Sequence, residues 1–219
     1  MRKVLACAVL VSLLAGCVGV QFGGKDQVKG SGNRKTEERE VGDFDSIEVN
    51  GAYKLEVTNG KGGALEIEAD DNLLPLVKTE VSGRRLRISN DRGFNTQELP
   101  RVRLSVPDLK EVALSGASDF SLSGLANDRL KINTDGASKL RATGETGALE
   151  VSLNGAGTLD ARELRARTAR VVSNGAGTVS VYASDSLDAT VNGVGSIDYY
   201  GDPKTVNPKV NGVGKITKK

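Results

Sequence analysis

The chain has 219 residues, with 30 Lys and Arg against 28 Asp and Glu and a formal net charge of +2. It contains no His and no Trp, which excludes His-based acid–base catalysis, Ser-His-Asp triads and His-ligated metals. Arg2 and Lys3 account for the whole cationic excess. The rest of the chain is formally neutral and gives no electrostatic reason to expect nucleic-acid binding.

The first residues have the order of a bacterial export signal. The basic pair Arg2-Lys3 precedes an apolar run, Val4 to Leu14, that is too short to span a bilayer. The ending Leu14-Ala15-Gly16-Cys17 resembles a lipobox, in which cleavage before the Cys leaves that residue lipidated. We therefore expect a signal peptide over residues 1–16 and a lipid anchor at Cys17. The alternative is a plain signal peptide in which Cys17 has no role.

Lipidation has consequences for location and for chemistry. Several acyl chains form a stable membrane anchor in the cell envelope, and Val18 in place of the Asp retention signal of some bacteria favours the outer membrane. Cys7 leaves with the signal and Cys17 would carry lipid, so no thiol remains for a disulfide, a metal or redox chemistry. Residues 17–40 are polar and Gly-rich and predict a flexible tether. Residues 41–219 then form the folded domain.

A short motif recurs through the second half of the chain. It reads Asn-Gly-Ala-Gly or a close variant, and its first residues, here called the Asn slot, lie 20, 19, 20, 18 and 19 residues apart. Asn50 fits the same frame. Because one such unit cannot bury its own apolar side, this repeat predicts stacked coils of an all-β solenoid. The six copies begin at Ser115, Asp135, Asn154, Asn174, Asn192 and Asn211.

Apolar residues alternate around the Asn slot, as they do in a strand with one buried face. Five residues after the slot stand Phe120, Leu140, Leu159, Val179, Ile197 and Ile216. Two after it stand Ala117, Ala137, Ala156, Ala176, Val194 and Val213. Three before it stand Val112, Ile132, Val151, Val171, Ala189 and Pro208, of which only Pro208 breaks the rule.

The Gly that follows the Asn slot predicts a corner, because Gly tolerates positive φ and Asn or Asp can bond its own backbone. These steps lack the Lys-Ser/Thr of a phosphate-binding loop. Calcium-binding β-roll repeats have half this period and more Asp. We therefore expect structural corners without a metal or cofactor. The corner glycines are Gly116, Gly136, Gly155, Gly175, Gly193 and Gly212.

Charges alternate in sign four residues before the Asn slot. Stacked coils make equivalent residues direct neighbours, about 4.8 Å apart, where opposite charges attract. Asp119 with Lys139, and Arg141 with Asp160, follow the same rule at other outward positions. The alternating row is Glu111, Lys131, Glu150, Arg170 and Asp188.

Two stretches are harder to assign. Asp160 to Arg170 has a helix-favouring composition but lies inside the repeat, which favours a strand. Leu65 to Pro107 is less regular than the rest. Its length allows about three further coils if the period persists, and the competing interpretation is a small N-terminal sheet that caps the solenoid.

Few residues suggest a chemical site. No pair of carboxylates stands out as acid and base, because the nearest ones have cationic neighbours in the ladder. Tyr199-Tyr200 could stack on a sugar ring, although one inward and one surface side chain is the simpler interpretation. The Lys-rich ending, Lys215 to Lys219, could contact an anionic surface, but it better fits a charged cap that blocks edge-to-edge growth.

Phe44 to Val57, Ala69 to Ser89 and Leu99 to Ser118, together with the NGAG/NGVG series, resemble the auto-transporter adhesin head GIN domain family. The resemblance implies a right-handed parallel β-helix in envelope proteins, often lipoproteins, and supplies no catalytic residues. Two hypotheses follow. The first is a non-catalytic envelope module that binds a polysaccharide or an envelope protein. The second is a carbohydrate-active β-helix enzyme with an atypical site.

Overall fold

The computed structural model describes residues 27–219, which form seventeen strands and one 3-10 turn at Leu74–Leu76, with no α-helix among them. The strands of the first part are β1 (Gln27–Lys29), β2 (Arg34–Glu40), β3 (Ser46–Gly51), β4 (Lys54–Asn59), β5 (Ala64–Asp70), β6 (Val77–Ser82), β7 (Arg85–Asn90), β8 (Gly93–Asn95) and β9 (Arg101–Val106). Those of the second part are β10 (Glu111–Gly116), β11 (Asp119–Gly136), β12 (Lys139–Leu153), β13 (Thr158–Ser173), β14 (Ala176–Val191), β15 (Val194–Tyr200), β16 (Thr205–Val210) and β17 (Val213–Lys218).

The second part is a stack of parallel coils that turn at one shared corner. In each coil a strand on the first side runs into the corner, and a strand on the second side leaves it. The first side consists of β3, β10, the later parts of β11–β14, and β16. The second consists of β4, the earlier parts of β11–β14, β15 and β17. The predicted solenoid is confirmed.

The register is the one that the repeat predicts. Ser115 lies between Asn50 and Asp135 in the stack. Each coil also has a short third side, which connects its second strand to the first strand of the next coil. Coil length varies because the register shifts on this side, as it does between Ala161 and Arg165. Extra residues are therefore absorbed on the third side, and the corner stays aligned.

The coil of Asn50 stacks directly on the coil of Ser115, so the expectation of three coils between them is wrong. The intervening segment instead forms the capping sheet that was the competing interpretation. In it, β7 and β9 add one further parallel layer to β3 and β4. The strands β6 and β5 then pair antiparallel with β7 and β9. Antiparallel strands end the parallel stack and cover its first layer.

The cap also includes part of the expected tether. β2 pairs antiparallel with β5, and β1 pairs with β8. The Arg39 guanidinium donates to the carbonyls of Val77 at 2.7 Å and Leu74 at 3.0 Å. Because these partners come from distant segments, the polar composition of residues 27–40 did not reveal strands. The rest of the expected tether, residues 17–26, lies outside the described residues, as do the signal peptide and Cys17.

The interior is filled by two of the three apolar rows. Side chains five after and three before the Asn slot are buried from Val112 to Ile197. The row two after the slot is exposed instead, with Val194 at 61% and Val213 at 77%. This residue directly follows the corner glycine, where the chain is still turning. Asp160 to Arg170 lies in β13, so the repeat overrides helix propensity there.

Candidate functional site

The six corner glycines lie at one edge of the stack, beside a ladder of asparagine amides. In the last three coils the Nδ2 of the asparagine donates to the Oδ1 of the asparagine one coil before. The distances are 2.8 Å for Asn174 to Asn154, 2.7 Å for Asn192 to Asn174 and 2.8 Å for Asn211 to Asn192. These amides therefore bond the neighbouring coil, not their own backbone as the sequence suggested.

The glycines have two different reasons to be glycine. Gly116 and Gly136 adopt positive φ, 115° and 132°. The later four do not lie in the left-handed region, so the positive-φ argument is wrong for them. At Gly155 a Cβ would instead overlap the backbone carbonyl of Gly136 one coil before, and the same holds down the row at Gly175, Gly193 and Gly212. Close stacking of the coils excludes a side chain at this corner.

The predicted charge row is a real ladder of neighbours. Glu111 lies opposite Lys131, Lys131 opposite Glu150, Glu150 opposite Arg170, and Arg170 opposite Asp188. Lys131 Nζ lies 3.9 Å from Glu111 Oε1. The ladder is extended at both ends, because Arg85 pairs with Glu111 at 3.0 Å and Asn207 donates to Asp188 at 2.8 Å. Glu111 and Asp188 therefore have structural partners.

A groove of about 680 Å³ lies on the irregular third side of the stack. It crosses the coils that contain Ala126, Glu145, Arg165 and Tyr182, which are successive neighbours in the register. It is lined both by small residues, such as Gly147 and Ala166, and by polar side chains. The charged and aromatic side chains that line it are Asp128, Glu145, Arg165, Arg167 and Tyr182.

Arg165 is held against an aromatic ring. Its guanidinium carbon lies 4.5 Å from the centroid of the Tyr182 ring, a distance at which a cation is attracted to the face of the ring. Tyr200 follows Tyr182 in the next coil, and Arg162 lies 6.0 Å from its centroid. Tyr199 packs against the core while Tyr200 lies outward, as the simpler interpretation of this pair expected.

The arginines in and around this groove differ in their partners. Arg162 is bound to Asp160 through Nε and Nη2, both at 2.9 Å, and this hydrogen bonding lowers the pKa of the Asp160 carboxyl. Arg141 binds Glu163 at 2.7 Å. Among residues 27–219, by contrast, Arg165 and Arg167 take part in no ion pair within 4 Å.

Gly147 opens the centre of the groove. A Cβ there would overlap the carbonyl of Asp128 and lie 3.1 Å from Arg167 Nη2. The guanidinium of Arg167 therefore extends over a position that has no side chain. The two carboxylates, Asp128 and Glu145, lie on the coils nearer the cap, and the two guanidiniums lie on the next coil.

Sequence reasoning missed this groove. Its residues fall between the repeated apolar positions, and the step from Arg165 to Tyr182 crosses a register shift that the repeat does not predict. The one signal was the excess of arginine in Asp160 to Arg170. Within the described residues, no three His, Cys, Asp or Glu side chains converge as a metal site requires. No helix in residues 27–219 is long and apolar enough to cross a membrane.

The fold defines the chain as a parallel β-solenoid with an antiparallel cap at its N-terminal end. Residues 43–203 match the family described as putative auto-transporter adhesin, head GIN domain, and the chain belongs to this family. The resemblance noted in the sequence is thereby confirmed. No curated protein matches the chain.

Solved structures of similar proteins cover nearly the whole domain. A putative adhesin from Bacteroides fragilis has a TM-score of 0.65 at 26% identity, with 88% of this chain and 100% of that chain covered. A putative adhesin from Parabacteroides merdae has a TM-score of 0.56 at 24% identity, with 89% and 99% covered. A putative lipid binding protein from Parabacteroides distasonis has a TM-score of 0.55 at 24% identity, with 88% and 99% covered. The last two show likeness of fold alone.

Proposed function

We propose that this protein is a lipid-anchored, non-catalytic, adhesin-like protein of the cell envelope that binds a polysaccharide in the third-side groove. The observation that carries the proposal is the groove itself, an open groove across several coils that is lined by small residues and polar groups. Sugar hydroxyls can donate to carboxylates and accept from guanidiniums. Membership of an adhesin family and the likeness to the Bacteroides fragilis protein support this role.

The anchor in this proposal is Cys17, with the outer membrane as the favoured location. The first described strand, β1, pairs with β8 in the cap. An anchor at Cys17 therefore attaches to the cap end of the molecule, and the groove lies on coils beyond it. Cys17→Ala is expected to abolish lipid labelling and to release the protein from the membrane fraction. Labelling that persists in the variant contradicts the anchor.

Binding can be tested with immobilised polysaccharides. The full-length protein, purified from membranes, is applied to a panel of neutral and acidic polymers, and retention is compared with that of Tyr182→Ala. The control is Ser180→Ala, two residues away on the same strand and outside the groove. We expect retention of the wild type and of the control and loss in Tyr182→Ala. Failure of the wild type to bind any polymer contradicts the proposal.

One observation favours the enzyme as a second candidate. Asp128 and Glu145 are two carboxylates on adjacent coils of the same groove, and glycoside hydrolysis uses such a pair. Release of reducing ends from the same panel decides between the two. Turnover that disappears in Asp128→Asn with Glu145→Gln supports the enzyme, whereas binding without turnover supports the adhesin-like module.

A further inference from the structure

The groove contains two guanidiniums that make no ion pair within 4 Å among residues 27–219, although Glu145 is the register neighbour of one of them. Arg165 and Arg167 lie two residues apart in β13, so their side chains leave the strand on the same side, about 7 Å apart along it. Both line the groove. Several other arginines of the described residues have carboxylate partners, as Arg162 and Arg85 do.

The structure places both guanidiniums in the groove, and an aromatic ring supports one of them. Tyr182 supports the face of Arg165 at 4.5 Å, which leaves the N–H groups at the edge of the plane free to donate. Arg167 Nη2 extends over Gly147, where no side chain competes for the space. A planar guanidinium with free edges matches a carboxylate, which it can bind through two parallel hydrogen bonds.

The preceding coils have the opposite character. Glu145 is the direct neighbour of Arg165 in the register, and Asp128 lies on the coil before that, across Gly147. A polymer with a negative charge on every unit would bring a charge against these carboxylates. A neutral sugar there can donate its hydroxyls to them instead. The coils are about 4.8 Å apart, which is comparable to the length of one sugar ring.

We propose that the groove binds an acidic heteropolysaccharide, with the carboxylate of one sugar on Arg165 and Arg167 and the adjoining neutral sugar on the preceding coils, beside Asp128 and Glu145. This inference rests on the proposed polysaccharide-binding function and specifies its ligand. The site is exposed to solvent, so binding weakens as ionic strength rises.

The test uses hyaluronan oligosaccharides, in which carboxylate-bearing and neutral sugars alternate, together with a carboxyl-reduced form of the same oligosaccharides. Polygalacturonate, charged at every unit, and neutral dextran complete the set. Affinities for the full-length protein are measured by calorimetry at low salt. We expect binding in the order hyaluronan, polygalacturonate, then carboxyl-reduced hyaluronan and dextran.

Three variants locate the site. Arg165→Gln with Arg167→Gln should weaken hyaluronan binding at least tenfold, and Arg165→Lys with Arg167→Lys, which keeps the charge but loses the planar fork, should give an intermediate loss. Arg162→Gln is the control, because it removes one positive charge from the same coil, from a guanidinium already bound to Asp160. It should change the affinity less than twofold. Circular dichroism melts establish that each variant is folded.

Each other result overturns a specific part. Equal binding of the carboxyl-reduced polymer, or an unchanged affinity in the double Gln variant, overturns the carboxylate site but leaves polysaccharide binding intact. If Arg162→Gln loses as much hyaluronan affinity as the double Gln variant, the effect comes from the overall positive charge, and the carboxylate site is overturned as well. Preference for polygalacturonate overturns the neutral subsite. Binding to none of these polymers overturns this inference, and if neutral envelope polysaccharides are not bound either, the proposed function fails with it.

Discussion

At the scale of single residues, the corner shows that one repeated glycine position can have two physical causes. A Cβ at Gly116, Gly136 or Gly155 would overlap the backbone of the neighbouring coil, and Gly116 and Gly136 also need glycine for their positive φ. An interpretation from backbone conformation alone would allow Ala at Gly155. Close stacking does not allow it.

Gly155→Ala is therefore expected to destabilise the protein by about 2 kcal/mol or more, since overpacking a filled site typically costs about 1–3 kcal/mol. The new Cβ would overlap the Gly136 carbonyl, and only a shift of the backbone could relieve it. Urea denaturation measures the free energy of unfolding. Gly42→Ala is the control, because a Cβ there meets no atom within 4 Å. Equal stability of the two variants would rule out the steric explanation.

The same scale shows why the repeated positions could be predicted and the groove could not. Leu140 and Val151 have the same kind of neighbours in every coil, so a fixed spacing in the sequence identifies them as interior. Arg165 and Tyr182 come together across a register shift, and their spacing differs from that of every other pair of coils. The sequence contains the residues but no period that joins them.

At the scale of elements, Asp45 joins three segments where the cap leaves the stack and returns to it. Its carboxylate accepts from Arg84 Nε at 3.0 Å and from Lys110 Nζ at 3.2 Å. Its backbone bonds the same two residues, with Lys110 N 2.7 Å from Asp45 O. Partial burial raises the pKa of the Asp45 carboxyl, but the two cations outweigh it and hold the pKa below its usual range.

A depressed pKa in the folded state gives stability that is present above the unfolded pKa, near 4, and is lost as pH falls through the folded value. Asp45→Asn should therefore be less stable than the wild type by about 1 kcal/mol at pH 7, and the difference should shrink below about pH 4. Urea denaturation at pH 7, 5 and 3 measures it. Asp43→Asn, at an exposed neighbouring carboxyl, should show no such trend. A difference that stays constant to pH 3 contradicts the ion-pair role.

The charge ladder is a second property of elements, because it exists only between coils. Glu150 lies between Lys131 and Arg170 in the register, so Glu150→Lys replaces two attractions with two repulsions. A double-mutant cycle on Glu150 and Arg170 should give a coupling of about 0.2–1 kcal/mol at low salt. Glu150 with Arg87 in the cap is the control pair. Zero coupling between Glu150 and both of its neighbours would show that the alternation adds nothing to stability.

At the scale of the whole molecule, the two ends of the stack differ in their strand pairing. The N-terminal end is closed by antiparallel strands of the cap, whose pairing comes from distant segments and is therefore not visible as a period in the sequence. At the other end, β16 and β17 have no further strand beyond them within residues 27–219. An open edge of this kind is a template for pairing with another chain.

Pro208 lies in β16, one of the two strands at this open edge. In a parallel pair the backbone groups of alternate residues point to opposite sides of the strand. Asn211 N donates to Val191 O in the coil before, so the backbone groups of Pro208, an odd number of residues away, point to the free edge. Proline has no N–H, and its equivalent one coil earlier is Ala189, buried in the stack. Pro208, which breaks the apolar row in the sequence, therefore leaves the free edge of β16 without one backbone N–H donor in the middle of the strand.

Pro208→Val restores that donor and adds a residue that favours strands, so we expect the variant to associate through this end. Sedimentation velocity over a range of protein concentrations should show a larger oligomeric fraction than in the wild type. This excess should be smaller at low salt than at high salt, because the charges of Lys209 and Lys215 on the two edges repel one another and are less screened at low salt. Val206→Ala, on the same strand with its N–H already present, is the control and should behave as the wild type does. If Pro208→Val sediments like the wild type at every concentration, the proline does not protect the edge, and the lysines of the last coil must be tested as its protection instead.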